Sequence, residues 1–136
     1  MKAFVMCLFV LASCGLPSHQ PVTGIYDLTT NDITSDSPAG CAKGMAAPMT
    51  LELLKEGNIY DLYICGQLNA SCSQKQLYAT SADGYNFTIV ALFSGSFNIS
   101  YYTTNGRTTI SGTGLTAVTF LGASCQWNTV FDGVRR

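Results

Sequence analysis

The chain reads as an all-β protein, a small antiparallel meander barrel of about eight or nine strands. Three observations predict this. Only 11% of the 136 residues are charged, and the abundance of Ser, Thr, Asn and Gly favours strands and tight turns over surface helices. After residue 23, no stretch keeps apolar residues at helical spacing for more than two turns. Two-residue turn signals recur instead at Gly57-Asn58, Asp83-Gly84 and Asn105-Gly106, each flanked by strand-like runs. Strands joined mostly by tight hairpins make a meander, and closing a meander into a barrel removes its exposed edges. A two-sheet β-sandwich of the same strands is the alternative.

Residues 1 to 23 precede the strands. Met1 and Lys2 give a short positive start, and Ala3 to Val10 form an apolar run too short to span a bilayer. Leu11-Ala12-Ser13-Cys14 follows, an aliphatic residue, two small residues and a cysteine. These residues resemble the lipobox of bacterial lipoproteins. The resemblance implies a signal peptide over 1–13, cleavage before Cys14, lipid on Cys14 and an outer-membrane anchor facing the periplasm or the cell surface. An ordinary secretory signal cleaved near Ser13 or Gly15 is the alternative. Gly15 to Thr23 carries two prolines and no periodic pattern, so 14–23 reads as the lipidated terminus and tether, with His19, the sole histidine, on it.

The remainder, 24–136, reads as one domain. Gly24 to Thr30 is the first strand, and a long polar loop runs from Asn31 to Pro48. Met49 to Glu56 and Ile59 to Cys65 form a hairpin about Gly57-Asn58. Pairing Glu56 with Ile59 sets Leu53 opposite Leu62 and Leu51 opposite Ile64 on the core face, with Glu52 and Asp61 on the polar one. Leu77 to Ser81 and Tyr85 to Leu92 flank Asp83-Gly84, and neither face of that hairpin is polar. Leu77, Ala79, Thr88 and Val90 share one side, and Tyr78, Phe87, Ile89 and Ala91 the other. Such a hairpin is either buried on both sides or presents an apolar stripe to a partner. Tyr78, Phe87 and Ile89 are accordingly the candidate binding residues.

Phe97 to Thr104 and Arg107 to Ser111 flank Asn105-Gly106, with Phe97, Ile99, Tyr101 and Ile110 on one face. Gly112-Thr113-Gly114 is expected to turn the chain into a strand from Leu115. A two-residue turn there buries Leu115, Ala117 and Thr119, and a three-residue turn buries Val118 and Phe120. Cys125 to Phe131 is the last strand.

Cleavage before Cys14 leaves Cys41, Cys65, Cys72 and Cys125, an even number in an oxidising compartment, which implies two disulfides. Of the three connectivities, Cys65 with Cys72 closes the loop between adjacent strands, and Cys41 with Cys125 pins the long loop to the last strand. A four-cysteine zinc site lacks the Cys-x2-Cys spacing that structural zinc favours. No metal or cofactor is expected.

The chain has 7 basic and 8 acidic side chains; without Lys2 these become six and eight, a net charge of -2, which argues against a nucleic-acid partner. A histidine on a tether cannot serve a nucleophilic triad, and Glu52 with Asp61 lie where solvated charges belong. The chain is therefore expected to be non-catalytic. The leading reading is an interaction or structural module with a protein or cell-envelope partner. Tyr63-Ile64-Cys65-Gly66 resembles the Tyr-x-Cys start of the bacterial c-type lysozyme inhibitors, which implies an inhibitor of a cell-wall hydrolase. Gly24-Ile25-Tyr26 is similar to the Gly-x-Trp of lipocalins, which implies a small-ligand carrier, although 123 residues suggest little cavity beyond packed side chains.

Overall fold

A computed structural model describes residues 18–34, 41, 48–91, 93–120 and 122–136. Eight strands follow one another round a closed antiparallel barrel: β1 (Gly24–Thr34), β2 (Met49–Glu56), β3 (Ile59–Gln67), β4 (Gln76–Ser81), β5 (Asn86–Ile89), β6 (Ser94–Thr104), β7 (Arg107–Phe120) and β8 (Ala123–Arg135). β8 returns to β1, from Arg135 opposite Tyr26 to Asn128 opposite Thr34. Residues 1–17, and with them the expected signal peptide and Cys14, lie outside the described residues.

Two hairpins have the register their turns predict. Glu56 faces Ile59, Leu53 faces Leu62 and Leu51 faces Ile64 across β2–β3, and Leu51, Leu53 and Leu62 are buried. β6 and β7 turn at Asn105 and Gly106, whose φ angles of 52° and 76° are the pair of positive values a type I′ turn requires. Phe97, Ile99, Tyr101 and Ile110 point into the barrel, as alternation demands.

The β4–β5 connection departs from the expected two-residue turn. Thr80 pairs with Thr88 and Ala79 with Ile89, one residue away from the pairing that Asp83-Gly84 alone would set. Local side chains hold the longer loop. Ser81 Oγ accepts the amide N–H of Gly84 at 2.9 Å, and Asp83 Oδ1 accepts those of Tyr85 and Asn86 at 2.8 Å each. A second irregularity sits opposite, where Leu62 pairs with Ala79 but Tyr63 with Leu77, leaving Tyr78 as the extra residue of a bulge. Together they turn Ala79, Phe87 and Ile89 to one inner face, while Leu77 and Val90 face out.

Three further differences concern length and ends. β1 continues to Thr34, so the β1–β2 connection is shorter than expected. Gly112-Thr113-Gly114 is not a turn but the middle of one continuous β7. The glycines serve contact there: a Cβ at Gly112 would strike the Phe131 ring, and one at Gly114 the Phe97 Cβ. With Leu115 exposed and Thr116 lining the interior, Val118 shares the inward face by alternation, the parity of the three-residue option.

Residues 18–23, expected as tether, run across one end of the barrel. Ser18 and Thr103 exchange backbone hydrogen bonds of 2.9 and 2.8 Å, Tyr85 Oη donates to the His19 carbonyl, and Tyr26 Oη donates to the Val22 carbonyl. Pro21 packs on Gly84. His19 is thus held rather than free, its Nδ1 lying 3.1 Å from the Tyr101 carbonyl oxygen.

Candidate functional site

The barrel has two unlike halves. At the end crossed by residues 18–23, Tyr26, Leu53, Ala79, Phe87 and Tyr101 are all at most 1% exposed and fill the interior. Tyr101 Oη donates to the Gly84 carbonyl at 2.8 Å, and burial pushes the Tyr26 hydroxyl up to about 12. Antiparallel succession sends the β1–β2, β3–β4, β5–β6 and β7–β8 connections out of the opposite end. Toward that end the interior holds a cavity of about 340 Å³, within the usual range of small-molecule sites, about 300–1,000 Å³.

Among the described residues the cavity lining is uncharged, and its polar groups are few: Asn31, Tyr78, Thr116, Thr129 and the Trp127 indole. Tyr78 is hydrogen-bonded to the Thr116 side chain, and burial raises its hydroxyl above the ordinary phenol value, so it stays neutral. The space survives in so short a chain because β7 brings Gly112, Gly114 and Thr116 to the inner face. Phe131 lies against Gly112 and Phe97 against Gly114, so two large rings press to the wall and leave the centre free.

The candidate binding residues named from the sequence are placed as follows. Phe87 is 1% and Ile89 6% exposed; both are core, with the Phe87 ring stacked on Phe97 at 5.3 Å. They do not form an outer binding surface, because the apolar face of that hairpin turns into the barrel. Tyr78, pushed inward by its bulge, is the one that reaches the cavity. Met49, Phe93, Thr116, Trp127 and Thr129 also line it and were not singled out. The alternation of Trp127, Thr129 and Phe131 was the available signal, since it marks one face of β8.

Both disulfides have the expected partners. Cys65 joins Cys72, with Cα atoms 4.6 Å apart, and Cys41 joins Cys125 at 5.7 Å. Glu52, Cys65 and Cys72 bring three potential metal-ligating atoms, one carboxylate oxygen and two sulfurs, within 4.8 Å of one another. The two sulfurs are bonded to each other and Glu52 pairs with Lys75, so this cluster does not offer thiolates to an ion. No family model matches the chain, and no curated protein matches it.

Proposed function

We propose that the protein is a non-catalytic carrier of a small, uncharged, largely apolar ligand, held in the cavity of its barrel and anchored to the outer membrane through lipid on Cys14. The observation that carries the reading is the cavity. An apolar cavity beside a half-barrel filled by large side chains is stability forgone, since filling buried volume with side chains stabilises a core, and that fits a site kept for an occupant. The outer-face module loses its main support, because Phe87 and Ile89 are interior.

The anchor and the cavity are compatible. Cys14 stands four residues before Ser18, a reach of at most about 14 Å, and Ser18 is bonded to the packed end of the barrel. Lipid on Cys14 would therefore hold that end at the membrane and direct the cavity end away from it.

Trp127, the single tryptophan, lines the cavity and reports on it. Titration of the mature protein with neutral apolar probes, 1-decanol and N-phenyl-1-naphthylamine, is expected to shift Trp127 emission with one-to-one saturation. Thr129→Phe, which projects a ring into the space, should weaken both responses while leaving the protein folded. An unchanged Trp127 signal with every probe would overturn the carrier reading.

A further inference from the structure

The two sides of the cavity differ in chemistry. Leu28 and Ile33 from β1, Met49 and Leu51 from β2, and Leu62 and Ile64 from β3 make a mainly aliphatic wall, interrupted by Asn31 of β1. The rings stand on the remaining strands: Tyr78 from β4, Phe93 and Phe97 at β6, and Trp127 and Phe131 from β8. These rings are held in place by one another. Tyr78 and Phe97 stack with centroids 6.1 Å apart and planes 22° from parallel, Phe97 meets Phe131 edge-on at 6.0 Å, and Phe93 meets Trp127 edge-on at 6.5 Å.

Resting on the carrier reading, we propose that the cavity selects a flat, ring-bearing, uncharged ligand with one hydrogen-bonding group, which lies between the two walls and bonds the Tyr78–Thr116 pair. A space between an aromatic and an aliphatic wall suits a flat molecule, which can stack on rings already fixed in orientation. A flexible chain gains no such stacking and loses rotamer freedom on entry. Among the described residues the cavity has no charged side chain to pair with an acid or an amine, and burying an unpaired charge is strongly unfavourable. A single polar substituent meets a hydroxyl pair at the aromatic wall, which can donate or accept.

Calorimetric titration of the intact mature protein with 2-naphthol, naphthalene and 1-decanol tests this. The first and third match in carbon and oxygen count and differ in shape; the first two differ in the hydroxyl. The expectation is that 2-naphthol binds about tenfold more tightly than either, and that Tyr78→Phe removes its advantage over naphthalene while naphthalene binding persists. Thr116→Val is the second variant, with the same expected loss, should Tyr78→Phe disturb folding. If 1-decanol binds most tightly, the ring preference is overturned and the carrier reading stands. If 2-naphthol keeps its advantage in both variants, the Tyr78–Thr116 anchor is overturned. If none of the three binds, the carrier reading itself falls.

Discussion

Phe87 and Val90 sit three residues apart and would be graded alike by hydrophobicity, yet one is 1% and the other 51% exposed. Phe87→Ala should cost about 3–5 kcal/mol, because it opens a cavity beside Phe97, whereas Val90→Ala should stay within about 0.5 kcal/mol. Urea denaturation of both variants checks the contrast. Two carboxylates set the acid limit. The Asn86 amide and side chain, with the Tyr85 amide and the Ser81 hydroxyl, hold Asp83 well below the usual carboxylate range. Asp27 is lowered chiefly by Arg136, whose Nε lies 2.8 Å from Oδ2, and by Thr50 and the Asn69 amide. A depressed carboxyl stabilises the fold above its unfolded pKa, about 3.9, and that contribution is lost as pH falls through the folded value. The urea midpoint should therefore fall as pH drops below about 4. In Asp83→Asn the midpoint should be lower at neutral pH and its acid slope shallower; an unchanged slope would remove Asp83 from this role.

At the scale of the element, turn chemistry decides register only where nothing competes with it. At Asn105-Gly106 there is room: a Cβ at Gly106 would meet nothing within 4 Å beyond its chain neighbours. Gly106→Ala therefore tests conformation alone and should destabilise by about 1–2 kcal/mol, with Gly106→Asn milder because Asn tolerates positive φ. Thermal or urea unfolding of the two variants gives the order. Asp83-Gly84 carries the same signal, but Ser81 and Asp83 bind four backbone amides of the loop between them. Those bonds favour the longer connection and shift the β4–β5 pairing by one residue. A one-residue shift exchanges the faces of a strand, and here it brings Ala79 to the same side as Phe87 and Ile89.

For the whole molecule, the two disulfides close loops of very different length. Cys41 and Cys125 are 84 residues apart, Cys65 and Cys72 only 7. Loop-closure entropy predicts a loss of about 4.5 kcal/mol for the Cys41→Ser/Cys125→Ser pair and about 2.5 kcal/mol for Cys65→Ser/Cys72→Ser. Urea denaturation should reproduce that order. Thiol labelling of the unreduced, unfolded wild-type protein should find none of the four reactive. The long bridge ties the β1–β2 connection to β8 near the cavity, and residues 18–23 with Tyr26, Tyr85 and Tyr101 secure the opposite end. The barrel is thereby packed at one end and hollow at the other.

By itself the sequence determined the all-β class, most of the strands, two hairpin registers and the number of disulfides, leaving the choice among three cysteine pairings to the tertiary structure. Each rests on simple counts and short-range physics: period-two alternation, the φ angles open to Asn-Gly and Gly-Asn, and the four cysteines that follow residue 14. Only the tertiary structure decided which side of the Leu77–Ala91 hairpin is interior, since an apolar pattern on both faces carries no direction until the barrel closes. The same holds for Gly112 and Gly114, which look like a turn in the chain but are needed by Phe131 and Phe97, 19 and 17 residues away in sequence. The cavity was illegible for the same reason. It is the volume left over by side chains from strands far apart in the chain, and no local pattern records a volume that depends on how all of them pack.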